Sequence, residues 1–119
     1  MAAAGRQRLM IRRATVADAA EIAALIAPQG FDIDGVITLH QMTVLHRPQP
    51  VGRITSLGVR PGAQGKGHGR ALVEAALAEL KQLGCGSVEV TSHQRRKEAH
   101  AFYRHLGFEP TSFRFACDL

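Results

Sequence analysis

Leu57-Gly58-Val59-Arg60-Pro61-Gly62-Ala63-Gln64-Gly65-Lys66-Gly67-His68-Gly69-Arg70-Ala71-Leu72 reads as an apolar strand that runs into a glycine-rich turn and opens a helix. The N–H groups of a first helical turn have no acceptor inside the helix and carry the positive end of its dipole, so such a turn suits an anion such as a diphosphate. Gly65, Gly67 and Gly69, at alternate positions, let a ligand approach the main chain without a β-carbon in the way. Downstream, Leu72, Val73, Ala76, Leu77, Leu80 and Leu83 recur at helical spacing and predict an amphipathic helix from Gly67 to Leu83, closed by Gly84. Val88 and Val90 alternate with polar neighbours in a strand from Ser87 to Ser92, and Ala99, Phe102, Tyr103 and Leu106 line one face of a further helix that stops at Gly107. Strand, helix, strand around the turn implies a parallel pair joined by a crossover.

Upstream, Val36 to Leu45 has the β-branched content of a strand. His46-Arg47-Pro48-Gln49-Pro50 then turns the chain into a second strand from about Gly52 to Val59, giving an antiparallel hairpin and hence a mixed sheet. Leu9 to Arg13 reads as a short strand. Thr15-Val16-Ala17-Asp18 forms a capping box for a helix that presents Ala19, Ile22, Leu25 and Ile26 and stops at Pro28. Phe108 to Leu119 is expected to close the sheet as one or two strands. The 119 residues make one domain, residues 9–119, behind a disordered tail at 1–8.

Two cysteines, Cys85 and Cys117, lack ligand or redox spacing and read as reduced thiols, which suits a cytoplasmic protein. No apolar run approaches the ~18 residues of a membrane span, and the first residues lack a secretion signal. The pairs His40 and His46, and His100 and His105, have no spacing for a metal, so none is expected. Lys and Arg number 15 against 10 Asp and Glu, a formal charge of +5 that favours an anionic partner. With one Tyr and no Trp, base stacking has little to work with, which counts against nucleic acid and leaves a phosphorylated small molecule. Arg60, Lys66 and Arg70 flank the glycine turn, and Arg95, Arg96 and Lys97 precede the tyrosine helix.

Two familiar phosphate loops do not fit. A nucleoside-triphosphate loop needs Ser or Thr after Gly-Lys, where this chain has Gly67, and the dinucleotide fingerprint needs Gly or Ala where Arg70 stands. Gln64-Gly65-Lys66-Gly67-His68-Gly69 instead resembles the Gln/Arg-x-x-Gly-x-Gly/Ala motif of the GNAT superfamily of N-acetyltransferases. Ala99-His100-Ala101-Phe102-Tyr103-Arg104-His105-Leu106-Gly107-Phe108 is similar to that family's second signature, a tyrosine helix ending at a Gly-Phe pair. The resemblance is strong over residues 53–119 and loose over 9–52.

The resemblance implies an α+β fold: a mixed, mostly antiparallel central sheet flanked by helices, with the second helix and one strand missing because only Gln29 to Gly35 stand where the family inserts them. It implies an acetyltransferase that uses acetyl-CoA as co-substrate and moves the acetyl group to a primary amine by direct attack in a ternary complex. The main chain of Leu57 and Val59 would hold the pantetheine arm, Gly58 would allow a bulge that frees backbone groups, and a nearby N–H would polarise the thioester. Gln64, Gly65, Lys66, Gly67, His68, Gly69 and Arg70 would bind the pyrophosphate, and Tyr103 would protonate the departing thiolate.

Three departures accompany the match. Arg53-Ile54-Thr55-Ser56 offers hydroxyls where many relatives carry an acid, leaving Glu89, His93 or a water chain as candidate bases. Arg96 stands where the family often has Asn, and could meet a coenzyme phosphate. The shortened segment leaves the acceptor pocket open, completed by a partner subunit, or absent; Asp32 and Asp34 could attract a cationic amine, and a homodimer is expected. The competing reading is a degenerate acyl-CoA-binding or regulatory module without acceptor chemistry.

Overall fold

Apolar residues at helical and at alternating spacing assemble here into a three-stranded sheet crossed by one long helix. The computed structural model describes residues 11–15, 33–92 and 94–119. Its elements are β1 (Gly35–Met42), β2 (Val51–Val59), a single 3-10 turn (Pro61–Ala63), α1 (His68–Gln82), β3 (Ser87–Val90) and α2 (Lys97–His105). The sheet order is β1-β2-β3. β1 and β2 form the antiparallel hairpin, from Gly35 opposite Val59 to Met42 opposite Val51. β3 lies parallel to β2, from Val51 opposite Ser87 to Ile54 opposite Val90, with α1 as the crossover. The mixed sheet expected from the glycine turn is therefore present. Among the described residues no helix is long and apolar enough to cross a membrane.

Val73, Ala76 and Leu80 on α1 are buried together with Val51 and Ile54 of β2 and with Ala63. The periodic residues that predicted the helix thus supply its contact with the sheet. Both helices stop by the same device. Gly84, at φ 86°, donates its N–H to the Lys81 carbonyl, and Cys85 donates to that of Leu80. Gly107, at φ 94°, donates to Arg104 while Phe108 donates to Tyr103. These are the paired bonds that satisfy the last carbonyls of a helix when glycine takes the left-handed conformation.

Gly52 lies directly beneath Leu80: a β-carbon there would come 2.7 Å from Leu80 Cδ1. Leu80 is 1% exposed and has nowhere to swing. Gly52→Ala is accordingly expected to lower unfolding stability by about 1–3 kcal/mol through overpacking, read as a shifted denaturation midpoint with an unchanged slope.

Several boundaries differ from expectation. β1 ends at Met42 rather than Leu45, because Val44 already accepts the Arg47 N–H in the turn. β3 stops at Val90, two residues early. Ile11 to Arg13 lie in no strand and Thr15 in no helix, and the remaining parts of the expected tail, first strand and capped helix fall outside the described residues, as do Asp32 and His93. Phe108 to Leu119 form no strand either. Phe113-Arg114-Phe115 alternates as a strand would, yet Phe113 is 83% and Phe115 93% exposed. Alternation defines a strand only when a neighbouring edge takes up its N–H and carbonyl groups, and no described strand pairs with this segment.

Candidate functional site

β2 keeps β1 as its partner to Val59, but its pairing with β3 ends at Ile54. Among the described residues, no strand pairs with the β3 side of β2 from Thr55 to Val59. A cleft of about 450 Å³ occupies this gap, with Thr55, Ser56 and Leu57 on one wall, Val90 and Ser92 on the other, and Arg96, just before α2, and Tyr103 of α2 closing it. Unpaired strand edges are rows of unused donors and acceptors, so the cleft can bind an extended, amide-containing chain.

The strand does carry an irregularity, but not at Gly58. Gly58 sits in regular pairing opposite Val36, whereas Thr38 opposes Ser56 and Leu39 opposes Ile54, so Thr55 is the extra residue. A bulge turns neighbouring side chains to one face. Thr55 and Ser56, adjacent in sequence, both bring their hydroxyls to Thr38 Oγ1, at 2.6 and 2.5 Å. Thr38 was not anticipated, because its role depends on a register slip that no local pattern announces.

Beyond the cleft the glycine turn leads into α1. Gly65 and Gly67 adopt φ of 78° and 84°, and no atom lies within 4 Å of a β-carbon built on either. Gly67 is the N-cap, without any side-chain cap. Among the described residues, no main-chain N–H from Gln64 to Arg70 donates to an acceptor. Gly69 lies inside the helix, where a β-carbon would only reach van der Waals contact with Phe102 and Val59. The turn thus presents open, unpaired main chain, as an anion cradle requires.

Side chains around the turn behave less uniformly. Gln64 folds back to donate its amide to the Val59 carbonyl at 3.2 Å. Arg70 pairs with Glu74 at 3.1 Å, one helical turn on, and Lys66 is exposed. His68 points inward: it is buried, with Nε2 3.9 Å from Asp34 Oδ2, so only its main chain remains to face a ligand. Asp34 does not stand free for a cationic amine as expected. It accepts a hydrogen bond from Arg60 Nη2 at 2.6 Å, and that guanidinium holds its carboxyl below the ordinary value.

Tyr103 is half-buried on α2. Its ring meets Phe102 and Phe108 edge-on at centroid distances of 5.2 and 5.6 Å. The Gly-Phe signature thereby acquires a physical role, since the left-handed Gly107 folds Phe108 back against the tyrosine. Burial raises the Tyr103 pKa, and nearby Arg96 opposes the rise. Arg96, the N-cap of α2, lines the cleft seven positions before Tyr103. Glu89 is engaged: it pairs with Arg53 at 2.6 Å, and Arg53 also donates to Thr91.

The profile of the Acetyltransferase (GNAT) family matches residues 6–108. Over 90 residues the chain is 32% identical to the aminoalkylphosphonate N-acetyltransferase of Salmonella typhimurium, covering 76% of this chain and 58% of that protein. It is 46% identical over 61 residues to the mycothiol acetyltransferase of Beutenbergia cavernae, which covers 51% of this chain and 20% of that one. The fold is similar to the crystal structure of a transcriptional regulator from Bacillus halodurans C-125, with a TM-score of 0.70 and 25% identity over 76% of this chain and 61% of the other. The chain therefore spans little more than half the length of the first of these relatives and a fifth of the second.

Proposed function

The chain belongs to the acetyltransferase (GNAT) family, and from that premise we propose that it transfers an acetyl group from acetyl-CoA to a primary amine. The observation that carries the reading is the gap between β2 and β3 after Ile54, with Tyr103 on its wall and the unpaired glycine turn at its end. An amide-bearing pantetheine arm fits the open edge from Leu57 to Val59, and a diphosphate fits the N–H groups from Gln64 to Arg70. Acetyl-CoA would supply an acyl thioester whose carbonyl carbon is attacked by a neutral amine, forming the amide as the C–S bond breaks. The backbone beside the bulge offers an N–H to the carbonyl oxygen where charge develops. Tyr103 donates its phenolic proton to the leaving sulfur, and the amine gives up its own proton to solvent, for which the hydroxyls of Thr38, Thr55 and Ser56 offer a hydrated route. The free thiols Cys85 and Cys117 suit a cytoplasmic setting.

A second reading, acyl-CoA binding without transfer, is favoured by two facts: β2 carries hydroxyls where a carboxylate would serve as base, and Glu89 is taken up by Arg53. One assay separates the two. With acetyl-CoA and a panel of primary amines, including aminoalkylphosphonates and aminoglycosides, release of free thiol is expected with at least one acceptor. Coenzyme binding without thiol release across the panel would leave the binding module, and absence of binding would remove both.

A further inference from the structure

We propose that Asp34 is a positioning residue for the glycine turn, holding the residues on either side of it so that the N–H groups between them converge. The inference rests on the reading of that turn as the diphosphate site. Asp34 stands just before β1, and its carbonyl accepts the Arg60 N–H at 2.7 Å while its carboxylate accepts Arg60 Nη2 at 2.6 Å. The other carboxylate oxygen faces His68 Nε2 at 3.9 Å. Arg60 precedes the turn and His68 is the first residue of α1, so one aspartate is hydrogen-bonded to the residue before the loop and faces the residue that follows it.

The loop has few anchors of its own. Gly65 and Gly67 stand in open space, Ala63 is buried, and Gln64 makes one hydrogen bond to Val59. Glycine gains conformational freedom when released, so an unanchored loop would have to be ordered again each time a ligand binds. The cluster is poorly built for stability alone: Arg60 Nε and His68 Nε2 are buried without a hydrogen-bond partner among the described residues. Buried donors left unmet weaken a fold. What the arrangement does provide is a fixed distance across the turn, from a residue 26 positions before Arg60.

The sign of the effect distinguishes positioning from charge. Removing an anion near a diphosphate site would, by Coulomb's law, tighten binding; loss of an anchor weakens it. The test is calorimetric titration of coenzyme A into the full chain, its D34N and H68Q variants and the double variant, with circular dichroism to verify folding. Apparent KM for acetyl-CoA and kcat are measured alongside. D34N is expected to weaken coenzyme A about tenfold and to raise KM by a similar factor, with kcat at saturation little changed. The double variant is expected to be less impaired than the product of the single effects, because the two side chains face one another across the turn. A folded D34N that binds equally or more tightly, or fully multiplicative effects, would overturn the assignment. If the unaltered chain does not bind coenzyme A, the functional reading itself fails, and this inference with it.

Discussion

Gly67→Val is expected to abolish coenzyme A binding while leaving the fold standing. At φ 84° the residue lies in the left-handed region, which a β-branched side chain scarcely adopts, at a cost of about 1–3 kcal/mol. No atom lies within 4 Å of the position the new β-carbon would take, so the core is not disturbed. The side chain instead stands where a ligand would meet the N–H groups of the first helical turn. A charge-assisted hydrogen bond contributes roughly 1.5–3 kcal/mol, and losing two of them weakens binding about a hundredfold or more. Gly84 supplies the control. It has φ 86°, equally open surroundings and a place at the opposite end of α1. Gly84→Val should therefore carry similar backbone strain without touching coenzyme affinity. Calorimetry with coenzyme A and thermal melts of the two variants check this, and a Gly67→Val protein that binds normally removes the cradle.

The helices and the sheet order were legible because their causes are local. Leu72 through Leu83 repeat at the spacing that buries Val73, Ala76 and Leu80, and Gly84 and Gly107 stand where left-handed glycine closes a helix. The parallel pair followed from a strand, a helix and a strand in succession. What the sequence did not disclose depends on partners far along the chain. Gly58 was the natural candidate for a bulge, yet the slip falls at Thr55, and it shows only in the register against β1, which no local pattern announces. Asp34 read as a free acid because Arg60 is 26 residues away, and His68 read as a turn residue although its ring is buried. Phe113 and Phe115 carry a strand's alternation without a strand's partner. The site divides in the same way: the glycine turn and Tyr103 announce themselves by motif, while the cleft joining them exists because β3 ceases to pair after Val90.

Tyr103→Phe is expected to lower kcat by about a hundredfold, within the usual range for loss of a general acid, while sparing the affinity for acetyl-CoA. Phenylalanine keeps the edge-on contacts with Phe102 and Phe108, and among the described residues the lost hydroxyl makes no hydrogen bond. The change therefore isolates the proton. Because burial raises the Tyr103 pKa from its ordinary 10.0, the phenol stays protonated throughout the neutral range. An acid works in its protonated form, so this group imposes no loss of activity through the neutral range, where the growing fraction of neutral amine raises the rate, and its own alkaline limb lies above the ordinary phenol range. That alkaline limb should vanish from the residual activity of Tyr103→Phe. Pre-steady-state thiol release, measured from pH 7 to 11 for both proteins, reads the limb directly. If the variant turns over as fast as the parent, solvent reaches the leaving sulfur and the ring serves only to wall the cleft.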